Sequence, residues 1–188
     1  MILNIGVFQY KMRDETPFKK IQRLENHLKK NNTLDLIVCP ELFLSGYGSH
    51  KKVKEFAEVK DGKYAIKISL LAKKYATAIL YGYPEIEKDS LFNAAQLFSS
   101  AGQSLINHRK QLLPPTAKES TIFNRGNNDS IINFKGIKIA VVICYELEFP
   151  ELIRRTALEG VKLILAPTAQ SSHWPAAARY ISRSRAFE

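Results

Sequence analysis

Apolar and polar positions alternate along the chain in blocks that predict strands and helices in turn. Short apolar runs rich in β-branched residues predict buried strands. These runs are residues 2–8, 34–38, 78–83, 92–98, 104–109, 131–134, 137–143 and 161–166. Apolar residues spaced three and four apart, with lysines between them, predict amphipathic helices. These helices are residues 18–28, about 64–75, 150–158 and 175–187. In the second helix, Ile66, Leu70 and Leu71 are predicted to face inward.

Glycine-containing turns refine this order. Ala101-Gly102-Gln103 and Lys135-Gly136 each separate two predicted strands and indicate β-hairpins. Gly160 follows the third helix, where a C-cap glycine is common. The pattern predicts an α/β fold with a mixed sheet and helices outside it. Because no linker or repeat divides the chain, we expect a single domain over residues 1–188. The helical pattern runs on to Glu188, so we expect this domain to be incomplete at its C-terminus.

The composition is that of a globular protein, since 45% of the 188 residues are hydrophobic and 24% are charged. Two cysteines, Cys39 and Cys144, are too few for a disulfide framework, which favours a reducing compartment. The first residues form a strand pattern rather than a signal peptide, and no apolar stretch could cross a membrane. We therefore expect a cytoplasmic location. The net charge of +10 comes from dispersed basic residues, which favours a lysine-rich surface over nucleic-acid or membrane binding.

Cys144 lies where a predicted core strand gives way to a helix. It follows the apolar run 139–143, and Pro150-Glu151 then has the proline and acid typical of a first helical turn. Ligands of α/β proteins tend to bind at the carboxyl edge of the sheet. Cys144 is therefore a candidate nucleophile, provided that a base and a cation lie beside it.

Two more polar residues stand at strand ends. Glu41 follows the strand that ends at Val38, and partial burial there would raise its pKa and favour its action as a general base. Lys110 follows a hairpin strand and shares a face with His108 because strand side chains alternate. Its ammonium could hold a developing oxyanion. These residues are far apart in sequence, so only the fold could bring them to Cys144.

The segments around these three residues resemble the signature motifs of the nitrilase superfamily, the carbon–nitrogen hydrolases. Pro40-Glu41 is similar to the glutamate motif of that family. Arg109-Lys110, with Leu113-Pro114 behind it, is similar to the lysine motif. Residues 143–146, followed by Phe149-Pro150-Glu151, are similar to the cysteine motif. The motifs occur in the family's order along the whole chain, which makes the resemblance specific.

Two further segments extend the resemblance, and one residue departs from it. Glu119 resembles the second glutamate of the family, which supports the lysine and helps to position substrate. Residues 185–188 resemble a late arginine-alanine-x-glutamate motif. Glu146 stands where the family usually has aspartate, two residues after the cysteine. Family members also continue through further strands past the last motif.

The resemblance implies a fold, a reaction and a set of roles. The fold would be a nitrilase-like αββα sandwich of two mixed β-sheets with outer helices, its C-terminal part missing. Glu41 would be the base, Lys110 the oxyanion partner and Cys144 the nucleophile that forms a thioester, with the Tyr145 backbone N–H as a second oxyanion donor. The substrates would be water and a small aliphatic amide or an N-carbamoyl amine. Neither a metal nor an organic cofactor is implied, and relatives pair as homodimers or larger homo-oligomers.

Several residues admit other interpretations. His173 and Trp174 follow the strand that ends at residue 166, so they would line the substrate pocket, although Trp174 could equally be a core or interface anchor. Cys39 lies in an apolar strand and is interpreted as core packing. A papain-like cysteine–histidine site is disfavoured because no histidine lies in a recognisable partner motif. The alternative functions are a true nitrilase, or a truncated, inactive or partner-binding remnant of the same fold.

Overall fold

A computed structural model describes residues 2–9, 14–31, 33–115, 118–128, 130–170, 175 and 177–188. Its first sheet has five strands in the order β1-β2-β3-β4-β5. The strands are β1 Ile5–Val7, β2 Leu36–Val38, β3 Ala78–Glu87, β4 Ser90–Phe98 and β5 Ser104–Arg109. Strands β1, β2 and β3 are parallel, while β3, β4 and β5 are antiparallel neighbours. The sheet is therefore mixed, and the hairpin predicted at Ala101-Gly102-Gln103 is confirmed.

The second sheet has three strands in the order β6-β7-β8, and it is also mixed. Its strands are β6 Ile131–Phe134, β7 Ile137–Val141 and β8 Leu163–Leu165. Strand β7 pairs antiparallel with β6, through the predicted turn at Lys135-Gly136, and parallel with β8. The carboxyl ends of β7 and β8 consequently lie side by side, which places Cys144 beside the segment that follows Leu165.

Two apolar clusters hold the layers together. One lies between the sheets and joins side chains from both of them; it includes Leu36, Leu80, Leu97, Ile106, Phe134, Ile139, Val141, Ile143 and Leu165. The other packs the first sheet against helices α1 (Pro17–Lys30) and α3 (Lys63–Lys74). Leu24 and Leu28 of α1 are fully buried there. Burial of this apolar surface is the main term that stabilises such a layered domain.

The remaining helices are α2 (His50–Phe56), α4 (Pro150–Leu158) and α5 (Ser182–Phe187), the last preceded by a π-helical stretch over Ala177–Ile181. Both predicted ends of α4 are confirmed: Pro150 begins it, and Gly160 beyond it has a φ of +82°, in the left-handed region. No helix in the described ranges is both long enough and apolar enough to span a bilayer.

The predicted inward face of α3 is partly wrong. Leu71 is buried, but Ile66 and Leu70 are 56% and 60% exposed. The buried face instead includes Ala65 and Ala72, together with Tyr64 and Ile68. Small alanine side chains allow this helix to approach the sheet closely. A prediction based on the spacing of large apolar residues does not include them.

Several element bounds also differ from the predictions. Strand β1 has only three residues, whereas β3 continues to Glu87. Helix α2 was not predicted, because among its seven residues only Val53 is buried and no apolar repeat can form. Ser49 nevertheless caps it by accepting a hydrogen bond from the Lys52 N–H.

Candidate active site

Glu41 lies on a tight, buried loop that directly follows β2. Leu42 has a φ of +47°, and the Gly46 N–H donates to the Leu42 carbonyl at 2.7 Å. Strand β3 runs against this loop at Gly82, where an added Cβ would lie 2.5 Å from the Leu42 nitrogen and 2.6 Å from the Pro40 oxygen. A glycine at this position therefore allows the close backbone approach that holds the loop in place.

Lys110, directly after β5, and Glu119 beyond it enter the same buried space. The Lys110 N–H donates to the Asn93 carbonyl at 2.8 Å, which extends the β4–β5 pairing by one residue. Its Nζ donates to Glu41 Oε1 at 2.7 Å and to Glu119 Oε1 at 2.9 Å. All three side chains of this cluster are at most 3% exposed. The structure thus brings together two carboxylates and one ammonium, a set with a net charge of −1 when all three are ionised.

Cys144 meets this cluster from the second sheet. Its N–H donates to the Pro167 carbonyl at 3.0 Å, and its φ of +48° is unusual for a residue other than glycine. Its thiol is hydrogen-bonded to the Glu41 side chain and to the Ala169 N–H. Ala169 also donates to Glu41 Oε2 at 3.1 Å. The backbone strain at Cys144 therefore coincides with a side chain aimed at the carboxylate, a combination typical of functional turns.

Burial and charge shift the pKa values of these groups in consistent directions. Burial raises the pKa of Glu41, and Glu119 adds to that effect while Lys110 opposes it. For Lys110, burial lowers the pKa, but the two carboxylates outweigh it and the pKa lies above its ordinary value. Burial and Glu41 raise the pKa of the Cys144 thiol, against the lowering effect of Lys110. These directions favour a neutral thiol at rest, beside a carboxylate of raised basicity.

Two residues of this cluster were not found from the sequence. Tyr47 donates its hydroxyl proton to Glu119 Oε1 at 2.6 Å. Asn93 donates from Nδ2 to Glu41 Oε1 at 2.8 Å and to Glu119 Oε2 at 3.2 Å. Asn93 is a polar residue inside the apolar strand β4 and is fully buried, which is the signal that could have found it. Tyr47 lies in a loop, and the sequence around it has no comparable signal.

Cys39 is confirmed as a core residue: it is 1% exposed in the cluster between the first sheet and its helices. The Tyr145 ring packs edge-on against Phe149 at 5.0 Å. The role predicted for the Tyr145 backbone N–H stays a prediction. His173 and Trp174 lie outside the described residues.

A cavity of about 610 Å³ opens beside Glu41. Its walls are formed by the carboxyl ends of β1, β2 and β8, and they include Val7, Phe43, Tyr47, Thr168 and Gln170. Val7 is 71% exposed because it lies on the edge strand β1. Glu41 is the acid of this lining, which otherwise consists of apolar and uncharged polar side chains within the described part of the chain. Over the same residues, no group of three or more histidine, cysteine, aspartate and glutamate side chains is placed to hold a metal ion.

Comparison with solved structures shows which fold this is. Saccharomyces cerevisiae Nit3, described as a member of branch 10 of the nitrilase superfamily, matches with a TM-score of 0.85 and 26% identity over 97% of this chain and 70% of that one. The amidase from Nesterenkonia sp. AN1 matches with a TM-score of 0.83 and 20% identity over 98% and 74%. The predicted αββα sandwich of two mixed sheets is confirmed.

Sequence comparison extends this result. A hydrolase encoded in the pqqF 5' region of Pseudomonas protegens is 39% identical over 99% of this chain and 66% of its own length. The 2-oxoglutaramate amidase of Bacillus subtilis is 28% identical over 91% and 65%. The chain thus spans just under two thirds of the length of these two curated relatives. The family model for carbon-nitrogen hydrolases matches residues 4–188. The chain therefore belongs to the carbon-nitrogen hydrolase family, within the nitrilase superfamily.

Proposed function

We propose that this protein hydrolyses non-peptide C–N bonds of small amides, with Cys144 as nucleophile, Glu41 as general base and Lys110 as oxyanion partner. The observation that carries the proposal is the hydrogen bond between the Cys144 thiol and the buried Glu41 carboxylate, whose Oε1 accepts from Lys110 at 2.7 Å. A nucleophile, a base and a cation in one buried cluster are the parts that acyl transfer requires.

The first half of the reaction forms a thioester. Glu41 accepts the thiol proton as the Cys144 sulfur attacks the amide carbon, and the carbonyl oxygen becomes an oxyanion held by Lys110 and the Tyr145 N–H. The C–N bond then breaks, and the amine leaves with the proton that Glu41 returns. The raised pKa of Glu41 suits it to both proton transfers.

The second half returns the enzyme to its resting state. Glu41 takes a proton from water as the water oxygen attacks the thioester carbon. The C–S bond breaks, a carboxylic acid leaves, and the proton goes back to the Cys144 sulfur. Glu119 keeps Lys110 in place through both halves, since it accepts two hydrogen bonds from Nζ.

The substrate class is a small aliphatic amide or an N-carbamoyl amine. The cavity beside Glu41 supports a small, largely uncharged substrate because its described lining is mostly apolar. Relatives support amide chemistry: the Bacillus subtilis protein is named 2-oxoglutaramate amidase, and a mutant of the Nesterenkonia amidase shows Michael addition of acrylamide at its active site cysteine. The protein would work in the cytoplasm, as a homodimer or larger homo-oligomer.

The test is ammonia release from propionamide, an N-carbamoyl amine and propionitrile. We expect turnover of the amide or the carbamoyl compound, and its loss in Cys144→Ala and Lys110→Ala. Cys39→Ala is the matched control, since it removes the buried cysteine of the core and should keep activity. Full activity in the Cys144 variant would show the nucleophile to be wrong. Turnover of the nitrile alone would identify a true nitrilase. Absence of turnover with all three compounds would identify an inactive domain.

A further inference from the structure

A second buried carboxylate, Glu146, links the two strand ends that carry Lys110 and Cys144. Its Oε1 accepts a hydrogen bond from the Gln111 N–H at 2.6 Å, one residue after Lys110. Its Oε2 accepts from the Ile143 N–H, one residue before Cys144. One side chain therefore ties the end of β5 in the first sheet to the end of β7 in the second.

His108 completes this link from inside β5. Its Nε2 lies 2.8 Å from Glu146 Oε2, while Nδ1 lies 3.1 Å from Ser130 Oγ. Because a carboxylate oxygen accepts, this pairing requires the tautomer with the proton on Nε2. Glu146 is fully buried and His108 is 2% exposed. The ring is thus held on both nitrogens, and it fixes the direction of the carboxylate that anchors the two backbones.

We propose that His108 and Glu146 form a positioning couple that sets the distance between the Cys144 sulfur and the Glu41–Lys110 pair. The inference rests on the proposed function and adds two residues to it. Neither side chain touches the reacting atoms. They act through the backbone on either side of Lys110 and Cys144.

The need for such a couple follows from the way the site is built. Glu41 and Lys110 belong to the first sheet, and Cys144 belongs to the second, so the reacting groups meet across a sheet interface filled by apolar contacts. Apolar packing is not directional. Directed hydrogen bonds are required to hold a nucleophile to within a fraction of an ångström, and a displacement of about 1 Å can cost about a hundredfold in rate. Cys144 also has a strained φ of +48°, which persists only where its surroundings hold it.

Two substitutions at His108 distinguish the effect of its hydrogen bond to Glu146 from the effect of its side-chain volume. His108→Phe keeps an aromatic ring but removes the donor to Glu146. His108→Gln keeps an N–H at about the place of Nε2. We expect kcat for amide hydrolysis to fall about 10- to 100-fold in the phenylalanine variant with KM within about threefold. The glutamine variant should stay within about threefold of the wild type in kcat. The rate of Cys144 alkylation by iodoacetamide, read by peptide mass, should follow the same order.

Tyr83→Phe is the matched control. It removes a hydrogen bond of 2.9 Å from the Tyr83 hydroxyl to Asn107 Oδ1, next to His108 on β5 but on the strand's opposite face. It should lower Tm without slowing the reaction. If His108→Phe lowers Tm by a similar amount and also loses rate, loss of stability is not the cause.

The outcomes separate this inference from the proposed function. Equal rates in the wild type and in His108→Phe, or equal losses in the phenylalanine and glutamine variants, would overturn the couple while leaving the hydrolase in place. If the wild type releases no ammonia, the proposed function fails. Slower alkylation of Cys144 in His108→Phe alone would still support the couple in that case.

Discussion

Replacing Glu41 with glutamine should separate the reactivity of Cys144 from turnover of substrate. Glu41 Oε1 accepts from Lys110 at 2.7 Å and from Asn93 at 2.8 Å, while Oε2 accepts from the Ala169 N–H at 3.1 Å, and the carboxylate is also the partner of the thiol. Glutamine keeps one of these acceptor atoms. Its oxygen should face Lys110, the strongest donor, so that its amide faces Ala169. The Ala169 N–H then loses its bond to the carboxylate and keeps only the Cys144 sulfur as a partner, which costs about 1–3 kcal/mol of stability.

The effects on catalysis and on the thiol have opposite directions. Without a base, amide hydrolysis should fall about 10²- to 10⁴-fold. The pKa of Cys144, however, should fall, because Glu41 raises it through both its charge and its hydrogen bond, and Lys110 remains to lower it. More thiolate is then present near pH 8, and thiolate is the reactive form.

The assay compares ammonia release with iodoacetamide alkylation of Cys144 between pH 6 and pH 9. We expect the Glu41→Gln variant to keep or increase its alkylation rate while turnover collapses. Glu119→Gln is the control, since it removes the same charge from beside Lys110 but leaves the thiol's partner intact, and it should retain at least about tenfold more turnover. A parallel loss of alkylation and turnover in Glu41→Gln would refute this account of the site.

Three further changes test the surroundings of the site. Lys110→Met leaves two buried carboxylates without their cation, so we expect the free energy of unfolding to fall by about 3–5 kcal/mol at pH 8. This loss should shrink as pH falls and the carboxylates take up protons, and urea midpoints would measure it. Gly82→Ala places a Cβ 2.5 Å from a loop nitrogen beside Glu41. We expect kcat to fall up to about a hundredfold, a larger loss than the fraction of unfolded protein indicated by the lower Tm would account for. Burial, against the opposing charge of Glu15, lowers the pKa of Lys20 to about 8 from 10.5. Between these two pKa values the unfolded chain binds more protons than the folded chain. The free energy of unfolding of the wild type should therefore rise by about 3 kcal/mol relative to Lys20→Met from pH 8 to 10.5. A constant difference between the urea midpoints of the two proteins would contradict this.

Local patterns in the sequence determined the positions of the motifs and the order of the elements other than α2. The hairpins at residues 101–103 and 135–136 follow from turn chemistry, and the ends of α4 follow from Pro150 and Gly160. Local rules succeed at these places because each depends on backbone preferences of a few adjacent residues. The same rules marked Glu41, Lys110 and Cys144 as polar residues at strand ends, and the resemblance to a family assigned them roles.

The exposed face of α3 shows that local patterns do not predict which side of a helix is buried. Ile66 and Leu70 have the right spacing for a buried face, yet they lie outward because the helix approaches the sheet through Ala65 and Ala72. Which of two apolar faces is buried depends on the shape of the surface opposite, and no single segment carries that information.

Only the tertiary structure decided how the site is held together. Asn93 becomes a partner of Glu41 because β4 and the loop after β2 meet in space, across 52 residues of sequence. Tyr47, in that same loop, reaches Glu119 in the segment after β5, across 72 residues. The pairing of His108 with Glu146 likewise requires the two sheets to face each other. Hydrogen bonds and charge interactions act over a few ångströms, so they depend on which groups the packing of layers brings together. The sequence determined which chemical groups are present at each strand end, and the fold decided which of them can exchange a proton.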